Sequence, residues 1–203
     1  MWLRLPWPSM ATRPCGRDLA RRRLRLHRPA GTDDLMSKTD TPGVIAPPPL
    51  IYLGFLLLGW GLAELGGRPE AVGAGYSWLA AGFGLEMEVR RGVALTLIIG
   101  GLLLDGMAAG LFRRRGTAVE PWKPSTVLIH EGPYRFSRNP IYVGFAITYA
   151  GLAIAMDSAL ALFLLLPCLA VVDQFVIQRE ERYLAAKFGA DYEAYRQKVR
   201  RWL

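Results

Sequence analysis

Four stretches of this sequence are apolar and almost free of charge, and they restrict the fold more than any other feature. They are residues 41–63, 92–112, 141–156 and 158–178, with Asp105 and Asp173 as their only charged residues. A helix needs about 20 predominantly apolar residues to cross the hydrocarbon core of a bilayer. Three stretches reach that length, and the third along the chain does so if it begins in the preceding loop or lies tilted. The sequence therefore predicts an all-α, polytopic membrane protein with about four transmembrane helices.

A soluble helical protein is the alternative interpretation of these stretches. The helices of a soluble core normally carry a polar stripe along one face. Between Gly92 and Leu104, however, Thr96 is the only polar side chain. The glycines of this stretch are the small residues that allow membrane helices to approach one another closely. The pattern therefore favours a membrane protein.

The charged residues predict how the chain is oriented. Residues 1–40 contain nine Lys and Arg against four acids, 113–140 six against two, 179–203 seven against four, and 64–91 three against four. Basic loops stay on the cytoplasmic side of a membrane. We therefore expect residues 113–140 and 179–203, and with them any active site that they form, to face the cytoplasm in a multi-pass protein. The membrane is expected to be a bacterial inner membrane. The basic excess indicates contact with anionic membrane lipids, and no nucleic acid partner is predicted.

The composition also divides the chain into three parts. Residues 1–40 are rich in arginine and lack apolar periodicity, which predicts a disordered basic extension, and Met36 is an alternative start. Residues 41–91 contain the first span and an outer loop, in which 71–85 form an interfacial or re-entrant piece. Residues 92–203 form the core of the protein. Cys15 and Cys168 are too far apart in sequence for a disulfide framework or a metal-ligand spacing, so no metal site is predicted.

The entry to the third span, Arg138-Asn139-Pro140, is the first candidate for a binding site. Asn139 is a favoured N-cap residue, and proline suits the first position of a helix. A helix N-terminus offers unpaired N–H groups and the positive end of the dipole, so it binds anions. With Arg138 beside it, this end suits a carboxylate or a phosphate. An ordinary capped helix beside a snorkelling arginine is the alternative.

Other polar residues have both a functional and a structural interpretation. Glu180 and Glu181 follow the last span, where they either bind the hydroxyls of a ribose or are solvated. His130 either assists proton removal or is a bystander in a loop. Asp105 and Asp173 lie inside spans, where ionisable groups indicate function, although placement at the membrane interface explains them equally well.

The order of these residues resembles a known family. Residues 126–144 read TVLIHEGPYRFSRNPIYVG, which resembles the signature of the isoprenylcysteine carboxyl methyltransferases. Phospholipid N-methyltransferases are similar in outline. A second set of matching residues follows at Glu180-Glu181, Leu184, Phe188-Gly189, Tyr192, Tyr195 and Val199-Arg200-Arg201-Trp202. The resemblance covers about residues 92–203.

The resemblance implies a membrane methyltransferase core that uses S-adenosylmethionine (SAM), with a C-terminal SAM-binding region, a polar cofactor-binding segment and a cytoplasmic C-terminal helix. The methyl acceptor is expected to be a lipophilic small molecule or a lipid. The expected cofactor-binding residues are Thr126, Val127, Leu128, Ile129, His130, Gly132, Tyr134, Asn139, Pro140, Ile141, Tyr142 and Glu180. Among the catalytic residues, we expect Arg138 to orient charge and either His130 or Glu181 to receive a proton.

Two positions depart from the family pattern. The family commonly has a histidine where this chain has Asn139, which can cap a helix but cannot act as a base. The prenylcysteine enzymes have an arginine one turn before the paired acids, where this chain has Val176. Because these positions bear on the acceptor, the resemblance predicts the cofactor and leaves the acceptor open.

Two other functions fit the same sequence. A membrane reductase of the sterol-reductase kind has a distantly similar C-terminal region and uses a nicotinamide cofactor, but such chains have more spans. A non-enzymatic membrane scaffold is the other alternative. It does not explain why Arg138, Asn139 and Glu180 occur together.

Overall fold

The computed structural model of the protein describes residues 42–43, 46–66, 87–120 and 123–203. This part of the chain contains helices and no strand, so the predicted all-α class is confirmed. The helices are α1 (Pro48–Leu65), α2 (Met87–Arg114), α3 (Pro140–Ala155), α4 (Ala159–Val172), α5 (Gln178–Phe188) and α6 (Ala190–Lys198), with a 3-10 turn at Gly132–Arg135 and a π-helical segment at Asp173–Ile177. The predictions for residues 1–40 and 71–85 lie outside the described residues.

Among the described residues, three helical stretches are long and apolar enough to cross a membrane. They are Pro48–Leu65, Glu88–Arg114 and Ala159–Phe188, while α3 is a shorter apolar helix of 16 residues. Large hydrophobic side chains such as Leu57 and Phe163 are exposed on these helices, which is unfavourable in water and suits contact with lipid. The predicted multi-span membrane fold is therefore confirmed. The orientation stays a prediction.

The third and fourth apolar helices form an antiparallel pair, as the sequence predicts. Only three residues separate α3 from α4, and the hydroxyl of Ser158 accepts a hydrogen bond from the N–H of Ala161 at the start of α4. Asp157, which precedes it, has a positive φ of 55°. Its carboxylate accepts a hydrogen bond from Arg90 near the start of α2 at 2.6 Å. This connection therefore ties α2 to the α3–α4 pair at one end of the molecule.

Helices α2 and α3 pack so closely that there is no room for a side chain at several glycines. A Cβ atom added to Gly101 would lie 2.6 Å from the carbonyl oxygen of Gly144 and 2.8 Å from the amide nitrogen of Thr148. At Gly151 it would lie 2.9 Å from the carbonyl oxygen of Ala94. Because these neighbours are backbone atoms, they cannot move aside as a side chain would. The glycines therefore set the spacing between α2 and α3.

We expect Gly101→Ala to destabilise the protein and Gly100→Ala, at the neighbouring position, to keep or slightly raise its stability, because alanine is the better helix former. A Cβ at Gly100 meets nothing within 4 Å, whereas overpacking at a close contact costs about 1–3 kcal/mol. Thermal unfolding of both variants in the same detergent measures the difference. Equal midpoints for the two variants would contradict the close α2–α3 contact.

The last apolar helix changes its winding before it ends. Residues Asp173–Ile177 form a π-helical segment, whose wider turn shifts the face that the following residues present. Val176 and Ile177 are buried in the core, and Glu180 and Glu181 follow one turn later at the cavity described below. Gly189, with φ of 54°, separates α5 from α6, which confirms the break predicted there.

Candidate functional site

A cavity of about 240 Å³ lies where α2 ends and α3 begins. Phe112 at the end of α2 and the first turns of α1 and α3 form its apolar walls. The segment between α2 and α3, together with α5 and α6, forms its polar walls. The two sequence regions that carry the family resemblance therefore meet around one space.

Hydrogen bonds hold the segment between α2 and α3 against the C-terminal helices. The N–H of Ser125 donates to the hydroxyl of Tyr183 on α5 at 3.2 Å. The hydroxyl of Tyr195 on α6 donates to the carbonyl of Tyr134 at 2.8 Å. The N–H of Thr126 donates to the hydroxyl of Thr117 at 3.0 Å. A segment without regular structure is thus fixed in place as a wall of the cavity.

Most of the residues predicted to form the site line this cavity. They are Val127, Leu128, Ile129, Tyr134, Arg138, Asn139, Ile141, Tyr142, Glu180 and Glu181. Thr126, His130, Gly132 and Pro140 are not part of the lining. Pro140 is fully buried behind it, and His130 is exposed. The structure therefore gives no support to a role for His130 at the reacting atoms.

Arg138 is the most unusual residue of the cavity wall. Its side chain is only 10% exposed, and its Nη2 atom forms an ion pair with Glu181 at 3.2 Å. Its Nε and Nη1 atoms are buried and have no hydrogen-bond partner among the described residues. Leaving buried donors of a charged group unpaired is unfavourable. The hydroxyl of Tyr192 lies beside this guanidinium, and the unpaired donors favour an anionic group at this wall of the cavity.

The N-terminus of α3 adds further donors to the same region. The N–H groups of Ile141 and Tyr142 have no backbone acceptor in the described chain, and the first helical bond runs from the N–H of Val143 to the carbonyl of Asn139. Asn139 occupies the predicted N-cap position, but its side chain does not cap the helix. It donates instead to the carbonyl of Arg201 at 3.0 Å. The helix end is thus uncapped and lies beside Arg138.

Glu180 reaches the cavity from the opposite wall. Its Oε1 atom accepts a hydrogen bond from the hydroxyl of Tyr142 at 2.7 Å. The hydroxyl of Tyr52 on α1 donates in turn to the carbonyl of Tyr142 at 3.0 Å. Glu180 is therefore held by α3, and its carboxylate is oriented within the cavity.

Arg201, which lies behind the cavity wall, is a residue whose role the sequence did not reveal. Its guanidinium contacts both oxygens of Glu181, at 3.2 and 2.8 Å, and also Asp173 at 3.2 Å. These hydrogen bonds raise the pKa of Arg201, with the bond to Glu181 as the largest cause. The only signal in the sequence was its position in the closing Val199–Trp202 match. Asp173, which had both a functional and an interfacial interpretation, is a partner in this network.

Three buried tyrosines complete the polar wall. Burial raises the pKa of Tyr134 well above its ordinary value, and the neighbouring Glu180 adds to the shift. Burial likewise raises the pKa of Tyr192 to about 12 and that of Tyr195. All three hydroxyl groups therefore stay protonated at neutral pH, where they remain hydrogen-bond donors.

Asp105 lies outside the cavity lining, in the contact between α2 and α3. Its Oδ1 atom is buried without a hydrogen-bond partner among the described residues, and it contacts the backbone of Gly144. No group of three or more His, Cys, Asp or Glu residues that could hold a metal ion occurs in the part of the chain that the structure describes.

Comparison with known proteins identifies the family. A family model described as phospholipid methyltransferase matches residues 89–191, which is half of the chain. The chain belongs to the phospholipid methyltransferase family. An uncharacterized protein of Haemophilus influenzae is 64% identical over 33 residues, which are 16% of this chain and 52% of that protein. The chain thus covers about half the length of that relative. No solved structure matches the chain.

The two departures from the family resemblance occupy different places in this phospholipid methyltransferase family member. Asn139 lies in the cavity wall and ties the start of α3 to the C-terminal tail. Val176 is 1% exposed and belongs to the hydrophobic core. A residue at position 176 therefore cannot contact an acceptor in this chain without a change in the packing of the π-helical segment.

Proposed function

We propose that this protein is a SAM-dependent membrane methyltransferase that acts on a lipophilic acceptor. The observation that carries the proposal is the pair of unpaired, buried donors of Arg138 in the same cavity as Glu180. SAM carries a carboxylate at one end and ribose hydroxyls at the other, so it needs both kinds of partner. Family membership supports the reaction class, and the cavity supports the cofactor.

The amino-acid end of SAM fits the Arg138 side of the cavity. Nε and Nη1 of Arg138 face different sides of the guanidinium, and either can give an oxygen of the ligand's carboxylate a charge-assisted hydrogen bond. The N–H groups of Ile141 and Tyr142 add the positive end of the α3 dipole to this site. The ligand's carboxylate would thus satisfy donors that have no partner in the described chain.

The adenosyl end fits the Glu180 side. A carboxylate accepts two hydrogen bonds from vicinal hydroxyl groups, and Tyr142 fixes its orientation at 2.7 Å. Between the two ends, aromatic rings of Phe112, Tyr134 and Phe145 line the cavity. Aromatic faces attract cations, so they suit a sulfonium.

Bound SAM supplies a methyl group on sulfonium that a nucleophile can take in one displacement. The chain's own contribution is to hold the reactants in line and to exclude water. Arg138 orients charge through the ligand's carboxylate. Glu181 binds two guanidinium groups and His130 is exposed, so neither is assigned proton transfer. The acceptor is a carboxylate of the isoprenylcysteine type, which needs no base, or a lipid amine or other lipophilic nucleophile whose proton passes to water before attack. It reaches the apolar wall at Pro48 and Ile141, and transfer of the methyl group leaves S-adenosylhomocysteine.

Methyl transfer into a lipid extract tests this function. Purified protein in detergent is incubated with SAM that carries a labelled methyl group and with a bacterial lipid extract. We expect the label to enter the organic phase, and mass spectrometry of the labelled lipid then identifies the acceptor class. Label that remains entirely in the aqueous phase, with NADPH-dependent reduction of the extract instead, would favour the reductase.

A further inference from the structure

The C-terminal tail folds back onto the segment that precedes α3. The N–H of Arg138 donates to the carbonyl of Arg200 at 2.9 Å. The carbonyl of Arg201 accepts from the hydroxyl of Ser137 at 3.2 Å and from the side-chain amide of Asn139 at 3.0 Å. These bonds join residues more than sixty positions apart in the sequence. They place the side chain of Arg201 beside Glu181.

Glu181 therefore contacts two arginines, but unequally. Arg201 binds it at two points, from Nε to Oε1 at 3.2 Å and from Nη2 to Oε2 at 2.8 Å. Arg138 approaches it through Nη2 alone, at 3.2 Å. Glu181 is only 10% exposed, so water does little to screen these contacts.

This inequality explains the unpaired donors of Arg138. A buried carboxylate beside a single guanidinium normally forms a two-point contact, because the fork of donors matches its two oxygens. Arg201 already occupies both oxygens of Glu181. Nε and Nη1 of Arg138 are therefore left for another acceptor at the cavity wall.

We propose that Arg201 is a positioning residue that occupies Glu181 and thereby keeps Arg138 available for the carboxylate of the ligand. Arg201 itself does not line the cavity. The inference rests on the proposed SAM site and adds a determinant of its selectivity for ligands that carry an amino-acid end. Without Arg201, Glu181 competes with the ligand for the same guanidinium.

Calorimetry with two probes tests this role in the full-length protein. S-adenosylhomocysteine (SAH), the demethylated product, carries the amino-acid end, and methylthioadenosine lacks it. We expect Arg201→Ala to weaken SAH binding by about 10-fold, within the range of couplings between contacting residues, and to leave methylthioadenosine binding unchanged. Arg200→Ala is the matched control, because its side chain is exposed beside Arg201, and it should change neither affinity.

A second substitution separates positioning from general support of the fold. In the Arg201→Ala background, Glu181→Gln removes the competing charge, so SAH binding should return to within about 3-fold of the wild type. Glu181→Gln alone should also retain SAH binding, and it tests the idea even if Arg201→Ala does not fold. Three results would each overturn the inference. They are an equal loss of affinity for both probes in Arg201→Ala, no recovery of SAH binding in the double variant, and loss of SAH binding in Glu181→Gln alone.

The same titrations distinguish this inference from the proposed function. If the wild-type protein does not bind SAH, the proposed SAM site is wrong. If the wild type binds SAH and Arg201→Ala binds it equally well, the SAM site stands and the role of Arg201 is wrong.

Discussion

Replacing Arg138 with alanine is expected to weaken SAH binding by about 100-fold, since truncating a buried, hydrogen-bonded charge pair costs about 2–5 kcal/mol. The ligand's carboxylate would lose its charged partner, whose Nε and Nη1 atoms have no other acceptor among the described residues. The fold should survive, because Glu181 keeps its two-point contact with Arg201. Arg138→Lys should bind SAH nearly as weakly, because an ammonium is a point charge that lacks the rigid, planar set of donors of the guanidinium. Calorimetry of each variant with SAH measures these effects.

The control for this prediction lies three residues earlier in the same segment. Arg135 is exposed and does not line the cavity, so Arg135→Ala should bind SAH like the wild type. Methylthioadenosine should bind Arg138→Ala almost normally, because it lacks the carboxylate. An Arg138→Ala variant that binds SAH as tightly as the wild type would refute the assignment of this end of the cavity.

Replacing Glu180 with alanine should impair binding of both SAH and methylthioadenosine. We expect a loss of about 100-fold or more for each probe, since hydrogen bonds to a charged group contribute about 1.5–3 kcal/mol each and two are lost. The reason is that the ribose, which both probes carry, would lose its acceptor. Parallel titrations with the two probes measure the effect. The pattern differs from that of Arg138→Ala, which should affect SAH alone.

Two controls accompany the Glu180 variant. Glu193→Gln changes an acid of α6 that pairs with Arg196 at the surface, and it should have no effect. Tyr142→Phe removes the hydrogen bond that orients Glu180. It should weaken the binding of both probes by only a few-fold, about 1 kcal/mol. If Glu180→Ala no longer binds SAH but still binds methylthioadenosine, Glu180 does not bind the ribose and the ligand lies differently in the cavity.

The helices that the sequence predicts best are those whose cause is local. The apolar stretches depend on composition, and the start of α3 depends on proline at the first helical position, so α3 begins where it was predicted although the side chain of Asn139 does not cap it. Gly189 marks the break between α5 and α6 because few other residues adopt its φ of 54°. The α2–α3 spacing was indicated only indirectly, by the small residues of α2.

The parts of the site that the sequence does not reveal depend on distant contacts. Asn139 binds the carbonyl of Arg201, and no local pattern predicts a partner 62 residues away. No characteristic residue pattern marks the π-helical segment at Asp173–Ile177 in the sequence. Glu180 and Glu181 nevertheless follow it along the same helix. His130 shows the opposite case, because its place within the motif suggested chemistry and its exposure does not support it.

Titration of the wild-type protein with SAH tests most directly whether the cavity between α3 and α5 is a SAM site. Full-length protein in detergent or nanodiscs is titrated with SAH by calorimetry, and NADPH is titrated in parallel. We expect one SAH per chain with a dissociation constant well below about 1 mM, and no heat of binding with NADPH. Absence of SAH binding at about 1 mM, or binding of NADPH instead, would contradict the account.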